Sequence, residues 1–292
     1  MVLRRCLDVM HPLKSMRVTV GRWFARALRL LARFPAGSRA IQAGRDAPIV
    51  GSLLRALLGI YQTYPNLQVA EAYLRRYVPA GHDHPFHIDM HARFAEYTRE
   101  SDYPVLYFLA PIASELKSVF DLGGSIGNLF YAYDMELHFP RDLRWIISDL
   151  PHKKQPALEF AQSKGEHRIV FTDNFLDASG VDLFVVSGAL HYFEQKLSEM
   201  LQRLDRLPKI VVVNRSPFAK RGDIVTVQDG GGFVITSKLH DMGSFVAGMT
   251  DLGYELVARW RVHERIEQIP LYPELNDTYW GFYFRLRGGG DR

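Results

Sequence analysis

The sequence predicts an α/β fold with a mostly parallel β-sheet and helices on both of its faces. Short β-branched apolar runs alternate with helix-length segments at 118–122, 144–148, 168–171, 183–187 and 210–214. Such alternation is typical of βαβ units and of a sheet that is buried on both faces. The first run leads into a glycine-rich turn and then a helical pattern. Two further strands, predicted at 255–262 and 280–287, complete a seven-stranded sheet.

Bulk composition is that of a packed globular protein. Hydrophobic residues make up 47% of the 292 positions and charged residues 23%, which leaves enough apolar side chains for a sizeable core. The single cysteine, Cys6, excludes an internal disulfide and a cysteine-rich metal site, and it fits a reducing cytoplasm. No apolar run approaches the ~20 residues that a membrane span needs.

Positive charge is concentrated at the N-terminus. Residues 1–45 hold ten of the 36 basic residues and one acid, whereas the net charge of the whole chain is +4. The remainder is therefore net negative, and its charge gives no reason to expect nucleic-acid binding. The pattern over 17–34 predicts a basic amphipathic helix, which would suit a peripheral membrane contact but also a partner-binding helix, a solvated helix or a leader sequence.

Chain breakers between 35 and 48 predict a linker, so the expected organisation has three parts. A basic arm covers 1–48, a helical lid or extension covers 49–116, and the α/β domain covers 117–292. Helical patterns are expected over 52–60, 67–77, 86–100 and 103–116. A further helix is expected over 237–252, after the glycine-rich stretch 229–232.

The clearest functional signal is the turn after the first strand. Asp121 is followed by Gly123, Gly124 and Gly127, and glycines allow positive φ and let a ligand meet bare backbone. A nucleotide cofactor or a purely structural turn would also account for glycines here. Asp121 favours a ligand with a cationic group, because a carboxylate suits an ammonium and sits poorly beside a pyrophosphate.

Polar groups also follow the next three strands, where ligands of open α/β sheets bind. Asp149 and Leu150 follow the second strand, and an acid there can accept hydrogen bonds from ribose hydroxyls or cap a helix. After the third strand, a carboxylate and an aromatic ring can meet adenine, or can form a turn acid and a core side chain. The candidates at these strand ends are Asp149, Leu150, Asp173, Asn174, Phe175 and Ser187.

His191 follows the fourth strand and is a candidate general base. An unperturbed histidine has a pKa of ~6.5, which suits removal of a proton from a hydroxyl near neutral pH. The alternative is a packing histidine that touches neither substrate nor cofactor.

Histidines cluster in the segment before the sheet. His82, His84, His87 and His91 fall within ten residues, and a pair at i, i+4 on a helix can bind a metal. Nothing else indicates a metalloenzyme, so a substrate lid or a solvated helix face is the preferred interpretation. His87, Arg93 and Tyr103 are the candidate substrate contacts of this segment.

At these residues the chain resembles a known family. The ordered series Asp121-Leu-Gly-Gly-Ser-Ile-Gly127, Asp149-Leu-Pro151, Asp173-Asn-Phe175 and Leu190-His191 is similar to that of class I S-adenosylmethionine-dependent methyltransferases, especially small-molecule O-methyltransferases. A bacterial group of uncharacterised methyltransferase-like proteins also shares Tyr-Pro-Val-Leu at 103–106, Arg215-Ser-Pro217 and Thr-Val-Gln at 226–228.

The resemblance implies a Rossmann-like seven-stranded methyltransferase sheet with S-adenosylmethionine as cofactor. It implies that Asp121 and the glycines hold the methionine part, Asp149 the ribose, and Asp173 with Phe175 the adenine. It makes His191 the base, as in the O-methyltransferases, or a structural residue, as in many other members. Arg215 becomes a candidate substrate contact.

The function hypothesis is O-methylation of a small-molecule or saccharide acceptor. The rivals are a catalytically silent interaction module and a nicotinamide-dependent oxidoreductase.

Overall fold

A computed structural model describes residues 34–45, 63–74, 86–229, 234–266 and 276–288, together with isolated positions between 23 and 50. The strands are β1 (Thr63–Tyr64), β2 (Ser118–Leu122), β3 (Arg144–Ser148), β4 (Ile169–Thr172), β5 (Leu183–Ser187), β6 (Ile210–Ala219), β7 (Ile224–Asp229), β8 (Val234–Asp241), β9 (Tyr254–Ile266) and β10 (Asn276–Leu286). The helices are α1 (Pro35–Arg45), α2 (Leu67–Leu74), α3 (Phe86–Phe94), α4 (Tyr103–Leu109), α5 (Asn128–Leu137), α6 (Lys154–Ser163), α7 (Leu197–Leu201) and α8 (Met242–Asp251).

Seven of these strands form the main sheet in the order β4-β3-β2-β5-β6-β10-β9. The first five run parallel to one another, and β10 runs antiparallel to both of its neighbours. This arrangement confirms the predicted Rossmann-like, mostly parallel methyltransferase-type sheet. The five parallel strands begin within one residue of their predicted positions, and β6 extends to Ala219.

Two apolar cores lie on opposite faces of the sheet, because successive side chains of a strand point to opposite faces. Val119 and Val185 belong to the core that contains side chains of α4 and α5. Phe120 and Val186 belong to the other core, which contains side chains of α7 and α8. Helices therefore cover both faces, as the sequence predicts.

The strands β1, β7 and β8 form an addition that the sequence analysis missed. β7 pairs antiparallel with β8, β1 pairs with β7, and the end of β8 joins β6 through Phe218 and Ala219. The helix predicted over 237–252 is wrong at its start, because 237–241 belong to β8. The helix begins at Met242, since the Asp241 carboxylate accepts a hydrogen bond from the backbone N–H of Ser244 at 2.7 Å and caps the helix.

The helical segment before the sheet packs directly on it. Leu67 and Ala70 of α2 pack against Val225 and Val227 of β7. The pattern expected over 86–100 yields α3, and that over 103–116 yields α4 followed by a 3-10 helix at Ala110–Glu115. The helix expected over 52–60, together with His82 and His84, lies outside the described residues.

The linker expected between 35 and 48 is wrong over 35–45, which form α1, because proline is favoured at the first position of a helix and alanine, arginine and glutamine are good helix formers. The amphipathic helix expected over 17–34 lies mostly outside the described residues, and its contact with a membrane stays a prediction. Within the described parts of the chain, no helix is both long enough and apolar enough to cross a bilayer.

Candidate active site

The turn between β2 and α5 needs glycine for two physical reasons. Gly123 and Gly127 have φ values of +72° and +80°, which L-residues with a side chain rarely adopt. Space is also lacking: a Cβ on Gly124 would lie 2.6 Å from the Asp121 carboxyl carbon, and one on Gly127 would lie 2.9 Å from Ile147 Cδ1. The turn therefore wraps closely around the Asp121 carboxylate.

Asp121 is a buried carboxylate that forms no salt bridge with any residue that the structure describes. It is 2% exposed, and its Oδ2 accepts a hydrogen bond from Trp145 Nε1 at 3.1 Å. The pKa of Asp121 is raised to about 7: burial is the main cause and the nearby Asp149 adds to it, while the Trp145 hydrogen bond and the Arg215 charge act to lower it. A cationic ligand group would stabilise the charged form of Asp121, because an opposite charge compensates for lost hydration.

Asp149 lies against the same turn. Its Oδ2 accepts the backbone N–H of Ser125 at 2.7 Å, and its Oδ1 accepts that of Leu150 at 2.7 Å. Ser125 has a φ of +51°, and its Oγ contacts Nδ1 of His91 on α3. These bonds fix the carboxylate at the end of β3, next to a Leu150 side chain that is 42% exposed.

Of the three candidates that follow β4, Asn174 and Phe175 contact other parts of the protein. The Asn174 side chain accepts the backbone N–H of Leu176 at 3.1 Å and so caps a 3-10 turn. The Phe175 ring packs edge-on against Phe120 in the core, with ring centroids 5.8 Å apart. Asp173 is exposed. That these residues bind adenine stays a prediction. Asp173 is the candidate whose side chain forms no hydrogen bond or ring contact with a residue that the structure describes.

The end of β5 holds Ser187 and His191. Ser187 Oγ is buried and makes no hydrogen bond with any residue that the structure describes. His191 lies in a 3-10 turn, is 2% exposed, and packs edge-on against Tyr279 at 6.0 Å between ring centroids. Its place at the carboxyl end of β5 agrees with the predicted location of a base, and that role stays a prediction.

A second histidine supports the 190–192 turn and was not predicted. His240 of β8 is 3% exposed and hydrogen-bonds to the backbone of Leu190. Burial lowers the pKa of His240 to about 4, with Lys238 acting in the same direction and Asp223 opposing it. His240 is therefore neutral near neutral pH.

The predicted substrate contacts are dispersed. Arg93 is exposed and Tyr103 is 59% exposed. Within the described part of the chain, no hydrogen bond or salt bridge joins either side chain to the glycine turn. His87 belongs to α3, but its side chain lies outside the description. The residues that the structure describes contain no cluster of three potential metal ligands.

Arg215, the fourth candidate, is buried in a polar network centred on Asp102. Asp102 is fully buried, and its Oδ1 accepts from Arg215 Nη1 at 2.5 Å, Tyr133 OH at 3.0 Å and Asn214 Nδ2 at 3.2 Å. Arg99 approaches the other oxygen at 3.4 Å. The network joins the segment before α4 to the middle of β6, so Asp102 ties the helical extension to the sheet.

The fold is Rossmann-like, and the solved structures that are similar to this chain include methyltransferases. Coclaurine N-methyltransferase bound to N-methylheliamine and SAH matches with a TM-score of 0.49 and 10% identity over 96% of this chain and 99% of that one. An S-adenosylmethionine-dependent methyltransferase from Clostridium acetobutylicum matches with a TM-score of 0.42 and 10% identity over 65% and 93%.

OxaC in complex with sinefungin and meleagrin matches with a TM-score of 0.43 and 15% identity over 63% of this chain and 47% of that one, so this chain spans less than half of OxaC. No family model matches the sequence, and no curated protein matches it.

Proposed function

We propose that this chain is an S-adenosylmethionine-dependent methyltransferase that O-methylates a small-molecule or saccharide acceptor. The observation that supports this most is the Asp121 carboxylate, which is buried beneath a glycine turn and forms no salt bridge within the described part of the chain. Asp149 lies beside it at the end of the next strand. A cationic amino acid joined to a nucleoside would meet both acids in that order.

The residues present fit this cofactor. The turn passes so close to the Asp121 carboxylate that only a glycine fits at position 124. Ser187 Oγ is a buried hydroxyl to which a bound ligand could hydrogen-bond. Asp149 would accept hydrogen bonds from the ribose hydroxyls, and Asp173 would accept one from the adenine amino group. The exposed Leu150 would pack against the adenine ring. When bound, the cofactor supplies a methyl group already activated by its sulfonium.

The protein then has two tasks. It must hold the acceptor atom in line with the methyl group, which is mostly a matter of orientation. If the acceptor is a hydroxyl, its proton must also be removed, and His191 at the end of β5 is the candidate base. His87, Arg93 and Tyr103 remain candidates for contacts to the acceptor.

A binding and turnover experiment tests the proposal. Purified protein is screened by thermal shift with S-adenosylhomocysteine and, for comparison, NADH, and then assayed with radiolabelled S-adenosylmethionine over phenols and saccharides. We expect S-adenosylhomocysteine alone to raise the melting temperature and label to enter an acceptor. Stabilisation by NADH alone would indicate an oxidoreductase. Binding of S-adenosylhomocysteine without transfer to any acceptor would favour the interaction module.

His191→Ala tests the base. We expect kcat to fall roughly 10²–10⁴-fold, the usual contribution of a general base, while the affinity for S-adenosylhomocysteine stays unchanged. His167→Ala, which removes an exposed histidine before β4, is the matched control and should keep full turnover. Unchanged turnover in His191→Ala would exclude His191 as the base.

A further inference from the structure

A β-bulge aims the Arg215 side chain away from the regular direction of β6. In the pairing of β6 with β10, Trp280 faces Ser216 and Phe282 faces Val213, so Asn214 and Arg215 together oppose Gly281. Arg215 has a φ of +51°, a conformation that costs free energy for a residue with a side chain. Bulges of this kind redirect side chains and are frequent beside active sites.

At the bulge, one edge of the buried Arg215 guanidinium has no hydrogen-bond partner among the residues that the structure describes. Arg215 is 3% exposed, and its Nη1 donates to Asp102 at 2.5 Å and to Ser101 Oγ at 3.2 Å. Its Nε and Nη2 donate to no residue that the structure describes. Because a guanidinium carries five N–H donors in a planar fork, the edge opposite Asp102 can still bind an oxyanion with two parallel hydrogen bonds.

That edge lies beside the carboxyl end of β5, where ligands of open α/β sheets bind. A Cβ on Gly188, which follows β5, would lie 3.9 Å from Arg215 Nε. Gly188 has no side chain to fill this space, and it follows Ser187, whose Oγ is buried without a described partner. The free donors of Arg215 therefore lie beside the strand end at which the cofactor is expected.

Asp121 carries the opposite charge on the other side of β5. The strands β2, β5 and β6 are consecutive neighbours, so Asp121 and Arg215 start from strands roughly 10 Å apart, and the long arginine side chain shortens that gap. The charge of Arg215 acts to lower the pKa of Asp121, so the two groups are electrostatically coupled. A buried anion and a buried cation flanking one crevice are complementary to a zwitterion.

We infer that Arg215 binds the carboxylate of the cofactor's amino-acid end while Asp121 binds its ammonium group. This inference deepens the proposed function and rests on it. Asp102 acts as a positioning residue, because it holds Nη1 and presents the opposite edge of the fork to the ligand. A carboxylate on the methyl acceptor has the same chemistry, and the experiment below separates the two sources.

Calorimetric titration with two nucleosides tests the inference. S-Adenosylhomocysteine carries the amino-acid end, and 5′-methylthioadenosine has the same nucleoside thioether without it. For Arg215→Met we expect the dissociation constant of S-adenosylhomocysteine to rise about 10- to 100-fold, as for a lost charge-assisted hydrogen bond. The affinity for 5′-methylthioadenosine should stay unchanged. Arg215→Lys should keep part of the affinity, since it keeps the charge and loses the fork.

Two further variants are controls, one for the removal of an arginine elsewhere and one for misfolding. Arg141→Met removes an exposed arginine before the amino end of β3 and should change neither affinity. Arg215→Met combined with Asp102→Asn removes both charges of the buried pair, so it leaves no uncompensated carboxylate if the single variant fails to fold. It should show the same selective loss of S-adenosylhomocysteine.

The other outcomes overturn the inference. Equal loss of both nucleosides would make Arg215 a structural residue. Unchanged affinity for both would show that the cofactor carboxylate does not bind to Arg215. The carboxylate of a methyl acceptor would then be the remaining candidate ligand of Arg215. If the wild-type protein binds neither nucleoside, the proposed function fails, and the inference fails with it.

Discussion

Asp121 shows how a single residue can cost stability and still serve binding. In the folded chain its pKa is about 7 against an ordinary 3.8, because burial disfavours the carboxylate. A raised carboxyl pKa contributes stability below pH 3.8, and that contribution is lost as the pH rises through 7. The folded protein therefore tolerates an unfavourable charge at pH 8, and a cationic ligand would compensate for it.

Asp121→Asn should separate stability from binding. At pH 8 we expect the free energy of unfolding to rise by on the order of 3 kcal/mol, because a buried charge is removed. An asparagine oxygen can still accept from Trp145. The affinity for S-adenosylhomocysteine should fall, since the ammonium loses its counter-charge. Urea unfolding at pH 8 and at pH 4 checks the first effect, and the gain should shrink at the lower pH.

A loss of stability at pH 8 together with unchanged ligand affinity would contradict this account of Asp121. Trp145→Phe is a useful companion variant, because it removes the hydrogen bond to the carboxylate and keeps most of the ring in the core. The variant should raise the pKa of Asp121 further. As the pH is lowered, the affinity for S-adenosylhomocysteine should then begin to fall at a higher pH than in the wild-type protein, because Asp121 becomes protonated earlier.

At the residue scale, the sequence predicts positions better than roles. Asp121, Asp149 and Ser187 all lie at the carboxyl ends of parallel strands, as the predicted strand boundaries indicate. Asn174 and Phe175 lie at the right strand end, yet one caps a turn and the other packs in the core. A motif places a residue near the ligand, whereas rotamer and packing decide what the side chain touches.

At the scale of elements, the bulge between β6 and β10 depends on one glycine. Gly281 opposes the two bulged residues, and a Cβ there would clash with the Trp260 indole. Trp260 Nε1 in turn donates to the Asn214 side chain at 3.2 Å. Gly281 therefore allows the close packing that fixes the bulge and, through it, the direction of Arg215.

Gly281→Ala should destabilise the protein by roughly 1–3 kcal/mol, the usual cost of overpacking. Gly243→Ala is the matched control, because Gly243 is exposed in α8 and an added Cβ would make only an ordinary contact at 3.4 Å. That variant should gain roughly 0.4–1 kcal/mol. Denaturant unfolding of both variants checks the pair, and an equal response would contradict the packing argument.

The elements themselves were predictable where local patterns are strong. Five buried β-branched runs led to five parallel strands, because continuous apolar runs of that length suit a sheet covered on both faces. The strands β7 and β8 were missed, although Ile224 to Val227 and Val234 to Ile235 are β-branched, because polar residues and glycines interrupt the pattern. The Asp241 cap marks the true start of α8.

At the scale of the whole molecule, Asp102 joins parts of the chain that are distant in sequence. Its partners Tyr133, Asn214 and Arg215 lie 31, 112 and 113 residues away. Ser101 extends the network to Glu264, whose Oε2 accepts the Ser101 backbone N–H at 3.0 Å. No local pattern could have predicted these contacts, because they exist only once the helical extension has docked on the sheet.

The stability of the whole molecule should fall in acid partly through His240. Its folded pKa is about 4, below the ordinary 6.5, because burial disfavours the imidazolium. Stability is therefore lost as the pH falls from 6.5 towards 4, by on the order of 3 kcal/mol in full. We expect His240→Asn to be closer in stability to the wild-type protein at pH 4.5 than at pH 7.5. A constant difference between the two proteins would contradict this role.

The central claim is that one crevice, formed by the glycine turn and the ends of β2, β3 and β5, binds the cofactor. A crystal structure of the protein with S-adenosylhomocysteine tests it most directly. We expect the ammonium group at Asp121 and the ribose hydroxyls within hydrogen-bond distance of Asp149. Electron density for the nucleoside elsewhere on the protein, or a ribose that does not contact Asp149, would contradict it.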